Sequence, residues 1–145
     1  MKSMAAYNGR EIPKEDKVFA ASGAALDAVE KYGPEKVINA VPFYTRLWTT
    51  SASGVTSSAL GMQAARDNAD MYGMSLVWNA ECEQYYGTVT TQGGDLVELW
   101  LEDTESLEAK IAVMRANNLA GIGAWKLGLE VPAVWELIGA YVNGG

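Results

Sequence analysis

The sequence predicts an α/β fold with a parallel sheet, and two apolar runs together with their order carry that prediction. Residues 36–43 (KVINAVPF) and 119–125 (LAGIGAW) are short, almost unbroken apolar stretches. Runs of that kind read as strands buried on both faces, the environment of a parallel sheet. Helical periodicity flanks both runs, so the chain reads β-α-β and then α-β-α, the alternation that builds α/β domains.

Taken in order, residues 3–7 are a short apolar stretch and residues 8–19 a polar loop. A helix follows over about residues 22–32 and stops at Gly33-Pro34, because Gly tolerates the left-handed conformation and Pro cannot continue the helix. The strand at 36–43 breaks at Pro42 into a cluster of Tyr44, Arg46 and Trp48. In α/β proteins the carboxyl ends of strands are where ligands sit. Beyond it, Ser57 or Ser58 caps a helix whose Met62, Ala65, Ala69 and Tyr72 share a face, and Gly73 closes it. Residues 76–78, 84–91 and 96–101 read as strands, the last two joined by a hairpin turn at 92–95. Asp103 caps a helix carrying Leu107, Ile111 and Met114 at helical spacing, and Asn117-Asn118 end it. After the strand at 119–125, Pro132 opens a last helix with Val134, Leu137, Ile138 and Tyr141 on one face. The chain thus divides into residues 1–50, an α+β insertion at 51–102, and residues 103–145.

Composition narrows the chemistry. At 145 residues the chain suits one domain with enough length to bury a core. With 18 acidic against 11 basic residues and a net charge of -7, it lacks the basic face that a nucleic-acid backbone demands. There is no His and a single Cys, Cys82, which excludes an intrachain disulfide, zinc sites of the His/Cys type and any Ser-His or Cys-His nucleophile. Gly121-x-Gly123 lacks the third glycine of a dinucleotide fingerprint and lies inside a strand, so no cofactor is expected. No apolar run approaches the roughly 20 residues that span a bilayer. No basic-then-apolar leader opens the sequence, and no secretion signal is expected within it.

Two segments, VPFYTRLW at 41–48 and WLEDTESLEAKIAVMRANNLAGIGAWKLGLEVPAVW at 100–135, resemble the C-terminal part of the catalytic barrel of bacterial family 18 glycoside hydrolases, the chitinase-like and spore-cortex-lytic branch. The resemblance implies strands six to eight of a (β/α)8 barrel, with an insertion between strand seven and its helix that walls a substrate cleft. A closed barrel needs eight strands and about 250 residues, so the first five strands are absent from this sequence, and the piece exposes strand edges that favour self-association. The implied activity is hydrolysis of an N-acetylglucosamine polysaccharide, chitin or peptidoglycan, in the cell wall or outside the cell. In this family a protonated Glu donates to the leaving oxygen and the substrate's own N-acetyl group attacks the anomeric carbon. That Glu ends a D-x-x-D-x-D-x-E strand, and no such motif is present. Asp103-Thr104-Glu105 reads instead as a helix start, where acidic residues meet the dipole. The chain alone is expected to be inactive.

What remains is one wall of a sugar site. Trp125 matches the family's Trp under the sugar at the cleavage point, and an indole suits the apolar C–H face of a sugar ring; it equally suits packing in a barrel mouth. Tyr44 and Arg46 match the strand-seven pair whose hydroxyl and guanidinium bond sugar hydroxyls or a neighbouring carboxylate, while Arg46 alternatively pairs with an acid of the insertion. Trp48 stands beside them as a binding or a core residue. Tyr7 and Asn8 match the Tyr and Asp of the family's strand-six M-x-Y-D, which steady the N-acetyl group; Met4 is one residue further away and Asn replaces Asp, removing its charge. Trp78, Tyr85 and Tyr86 either face the cleft or fill the insertion. A non-catalytic carbohydrate-binding domain and a self-associating interaction domain are the alternatives to a hydrolase fragment.

Overall fold

A computed structural model of the chain describes residues 4–7, 10–13 and 18–144, with side chains from residue 25 onward. Helix α1 (Val18–Tyr32) ends where Gly33 adopts φ 84° and its N–H donates to the Val29 carbonyl at 2.9 Å. Pro34–Lys36 then form a single 3₁₀ turn, which shortens the expected strand to β3 (Ile38–Pro42). Strand β9 (Gly121–Trp125) lies parallel to β3, in a register running from Ile38 opposite Gly121 to Pro42 opposite Trp125. The two apolar runs are therefore neighbours in space although some eighty residues separate them in sequence.

Strand alternation sends Val41 and Ile122 to one face, which helices α1, α3 (Thr104–Ala116) and α4 (Val134–Asn143) cover. Ala25, Leu107, Ile111, Met114 and Val134 are buried there with Val41 and Phe43. The other face holds Ile38, Ala40, Gly121, Gly123 and Trp125, with Ile38 66% and Trp125 69% exposed. Burial on both faces was expected, but among the described residues the pair is covered on one face only.

Residues 44–101 build a separate five-stranded antiparallel sheet in the order β5-β4-β8-β7-β6. Its strands are β4 (Tyr44–Ser51), β5 (Gly54–Gly61), β6 (Val77–Asn79), β7 (Gln84–Thr90) and β8 (Leu96–Leu101). The β4–β5 hairpin departs from the sequence reading. Ser57 and Ser58 do not cap a helix; they lie in β5 opposite Trp48 and Leu47. The reason is local: 44–61 is rich in β-branched Thr and Val, and Gly54 at φ 128° turns the chain. Helix α2 (Met62–Met71) starts after Gly61 with no side-chain cap, and the Leu129 carbonyl takes the Met62 N–H at 2.8 Å. Because Tyr44 already belongs to this sheet, hydrogen bonding changes hands at Phe43, ahead of the division expected after residue 50.

One face of the sheet packs under α2, where Ala65, Ala69, Val97, Leu99 and Leu101 are buried and Leu47, Leu60 and Tyr85 pack against them. Strand β1 (Met4–Tyr7) was expected to run beside the parallel pair. It pairs antiparallel with β2 (Arg10–Pro13), from a segment read as loop. The register runs from Met4 opposite Pro13 to Tyr7 opposite Arg10, so backbone groups close in sequence satisfy each other.

The β8–α3 junction ties the two regions together. Asp103 caps α3, its Oδ1 accepting the N–H groups of Glu105 and Ser106, both at 3.0 Å, while Ser106 Oγ accepts the Asp103 N–H at 3.0 Å. Glu102 beside it is buried; Lys110 Nζ contacts both its oxygens, Gln84 Nε2 donates to it at 2.6 Å, and its own N–H reaches Thr45 Oγ1 at 2.7 Å.

Candidate functional site

The candidate site lies at the carboxyl ends of β3 and β9, where the parallel pair hands the chain to the antiparallel sheet. Phe43, fully buried, is the single residue between β3 and β4, and its N–H donates to the Trp125 carbonyl at 2.7 Å. That bond fixes Trp125 beside the start of β4. The Trp125 ring points away from the helices and is 69% exposed, and the Trp125–Lys126 peptide is cis.

From this corner β4 carries Tyr44, Arg46 and Trp48 at alternate positions, on the face opposite Leu47 and therefore away from α2. The structure brings these three expected residues together. The Arg46 guanidinium lies 5.8 Å from the centroid of the Trp48 ring and donates to Ser57 Oγ. Among the described residues its partner is thus a hydroxyl on β5 instead of an acid. Trp48 is 6% exposed and forms the base of this cluster.

Two neighbours were missed by the sequence reading. Trp100 lies opposite Arg46, and Glu98 opposite Trp48, on the adjacent strand β8. Tyr86 of β7 faces Trp100 with ring centroids 4.5 Å apart and hydrogen-bonds its hydroxyl to Glu98 Oε1 at 3.1 Å. Burial, reinforced by the negative Glu98, holds the Tyr86 phenol above its ordinary pKa, so it remains a donor at neutral pH. The signal was present in the period of two that places Glu98 and Trp100 on one side of LVELWL. The result is a cluster of Tyr44, Arg46, Trp48, Glu98, Trp100 and Tyr86, aromatic rings interleaved with hydrogen-bonding groups, in which Trp48 and Glu98 are buried and the other four half-buried.

Other expected site residues fall elsewhere. Trp78 pairs with Tyr85, their rings meeting edge-on at 5.1 Å, on the sheet face that packs under α2. It is separated from Tyr44, Arg46 and Trp48 by the thickness of the sheet. Tyr85 turns to α3, where a hydrogen bond with Glu105 is the main cause that raises its pKa. Tyr7 ends β1 but its side chain lies outside the described residues, as does Asn8 altogether. Asp103 and Glu105 serve the start of α3 as expected. Among the described residues no group of three or more His, Cys, Asp or Glu is placed to hold a metal, and no helix is long and apolar enough to cross a membrane.

Comparison with known proteins agrees with this architecture. Residues 12–130 match the family described as Glycosyl hydrolases family 18. The cortical fragment-lytic enzyme of Bacillus subtilis is 29% identical over 138 residues, a match covering 84% of this chain and 32% of that protein. The crystal structure of the spore cortex-lytic enzyme SleL of Bacillus megaterium superposes with a TM-score of 0.77 at 25% identity, over 85% of this chain and 29% of that one. A chitinase from Chromobacterium violaceum shares the fold at 21% identity with a TM-score of 0.72, over 81% of this chain and 36% of that one. The chain spans about a third of the length of these proteins.

Proposed function

The chain belongs to the glycosyl hydrolases family 18, and from that premise we propose that it is the C-terminal part of a catalytic (β/α)8 barrel, with β3 and β9 as strands seven and eight and the five-stranded sheet as the insertion that walls the cleft. The parent protein then hydrolyses an N-acetylglucosamine polysaccharide, peptidoglycan or chitin, at the cell wall or outside the cell. Its mechanism is retaining and substrate-assisted, the N-acetyl group serving as nucleophile. Trp125 floors the reacting sugar, and Tyr44, Arg46 and the aromatic wall beyond them bind its hydroxyls and rings.

The observation that carries this reading is the exposure of Trp125 at the carboxyl end of a parallel strand pair, on the face that the helices leave open. In the full-length protein, Trp125→Ala is expected to leave the melting temperature nearly unchanged and to lower kcat/KM at least tenfold, about 1.4 kcal/mol of transition-state stabilisation. A large loss of melting temperature with normal kcat/KM in the folded fraction contradicts it. The isolated chain, lacking the acid, is expected to release no product from N-acetylglucosamine oligomers or cell walls, since general acid catalysis is worth about 10²–10⁴-fold. Turnover that survives repurification would overturn the fragment reading.

The exposed apolar residues Ile38, Trp125 and Leu127 favour a second behaviour for the chain in isolation, self-association through the open face and edges of β3 and β9. Light scattering decides it: a dimer or larger species is expected, and a compact cooperative monomer speaks against it. In the parent protein the N-terminal part of the barrel takes that place.

A further inference from the structure

We infer that Glu130 is a positioning residue for Trp125, its carboxylate closing the loop that follows β9 and setting the pose in which the indole is presented. The inference starts from what does not hold Trp125. With 69% of the residue exposed, little packing fixes the ring, so its direction depends on the backbone that carries it. On the strand side that backbone is secured by the Phe43 N–H. On the other side it enters a tight turn, where the Leu129 N–H reaches the Lys126 carbonyl at 3.3 Å and Gly128 takes φ 88°, the left-handed conformation glycine reaches at no steric cost.

Glu130 folds back over this turn. Its Oε2 accepts the Gly128 N–H at 2.7 Å and the Leu129 N–H at 3.1 Å. The Trp135 side chain, in the first turn of α4, also helps hold this carboxylate below its ordinary pKa. Trp135 in turn meets Phe43 edge-on at 6.0 Å, and the Leu129 carbonyl holds the Met62 N–H at 2.8 Å. Phe43 on one side and the turn closed by Glu130 on the other thus hold the backbone on both sides of Trp125. A carboxylate at the surface has water as an alternative partner, so gathering two backbone donors around it serves to order the loop. The consequence for sugar binding rests on the reading of Trp125 given above; the consequence for the loop does not.

The test uses the chain with ¹⁵N-labelled tryptophan and backbone, the Trp125 indole signal being assigned through Trp125→Phe, and N-acetylglucosamine tetramer as probe. In Glu130→Ala the Trp125 indole signal is expected to shift or broaden, while those of Trp48 and Trp100 stay. Amide exchange at Gly128 and Leu129 should accelerate about tenfold or more, as for a loop released from local protection. Tetramer affinity should weaken by about tenfold, the scale of losing one preorganised contact. Glu130→Gln, which keeps an acceptor oxygen, should recover most of each effect and serves if the alanine variant fails to fold. Unchanged Trp125 and Gly128 signals in Glu130→Ala, with only a lower melting temperature, overturn the inference. If wild-type chain binds no tetramer, the sugar reading fails, and the indole and exchange measurements still decide the role of Glu130.

Discussion

The parallel pair β3–β9 and the five-stranded antiparallel sheet differ in how much of their apolar surface the chain itself covers. The antiparallel sheet places Val97, Leu99 and Leu101 under a single helix at 1% exposure or less, and its polar and aromatic face is largely covered as well, Trp48 and Glu98 being 6% exposed. An antiparallel sheet tolerates a polar second face, and here that face is buried around Trp48 and Glu98. The parallel pair buries Val41 and Phe43 under three helices yet leaves Ile38 and Trp125 open on its other side. Parallel strands normally have both faces covered, so the same hydrophobic chemistry yields a finished layer in one region and half of a layer in the other.

The heaviest blow to this arrangement should come where the two regions meet. Lys110 and Glu102, at 1% and 2% side-chain exposure, form a buried ion pair linking α3 to the end of β8, and Gln84 and Thr45 bond Glu102 from the sheet. Removing one partner leaves a buried charge. Lys110→Met is therefore expected to cost about 3–5 kcal/mol. Denaturant unfolding followed by tryptophan fluorescence measures it, and a loss below about 1 kcal/mol, the range of surface pairs, would mean the pair is solvated in solution.

Contrasting substitutions on the parallel pair sharpen the comparison. Phe43→Ala empties a fully buried site between the helices and the strand ends, and is expected to cost about 3–5 kcal/mol. Ile38→Ala, two turns of the pleat away on the open face, should stay within about 0.5 kcal/mol in the dissociated chain. The same variant should weaken self-association in light scattering. Equal destabilisation by the two would show that the open face is covered in the isolated chain.

Much of this was legible in the sequence, and the exceptions have physical causes. The β3 and β9 runs, the stop at Gly33-Pro34, the Asp103 cap and the 84–101 hairpin all rest on local signals: apolar runs, left-handed glycine, a capping side chain and a short turn. The β4–β5 hairpin was missed because Ser57 and Ser58 carry two meanings, caps before Met62 or the hydroxyl-bearing face of a strand. Only the pairing with Trp48 and Leu47 decides between them. For the site, Tyr44, Arg46 and Trp48 share a face by the period of two alone. Adding Trp100, Glu98 and Tyr86, and removing Trp78, needed the register between strands, which no single strand encodes.

The smallest predicted effect concerns the loop at the corner between the two regions. The Glu130 carboxyl is held below its ordinary pKa, chiefly by its own backbone N–H; desolvation is the next cause and opposes it, while the Gly128 N–H, the Trp135 side chain and the Leu129 N–H add to the lowering. A depressed folded pKa means that the ionised form belongs to the closed loop. The loop's contribution is present above the ordinary carboxylate range and is lost as pH falls through the lower folded value. In a titration followed by NMR, the Gly128 and Leu129 amides, the two donors to this carboxylate, should therefore move together with a midpoint below that range. Amides of the sheet core at Leu99 should not move in the same window, because no titrating group bonds them there. A shared midpoint at or above the ordinary carboxylate value would show that the donors do not stabilise the charge, and that the turn after Trp125 closes without Glu130.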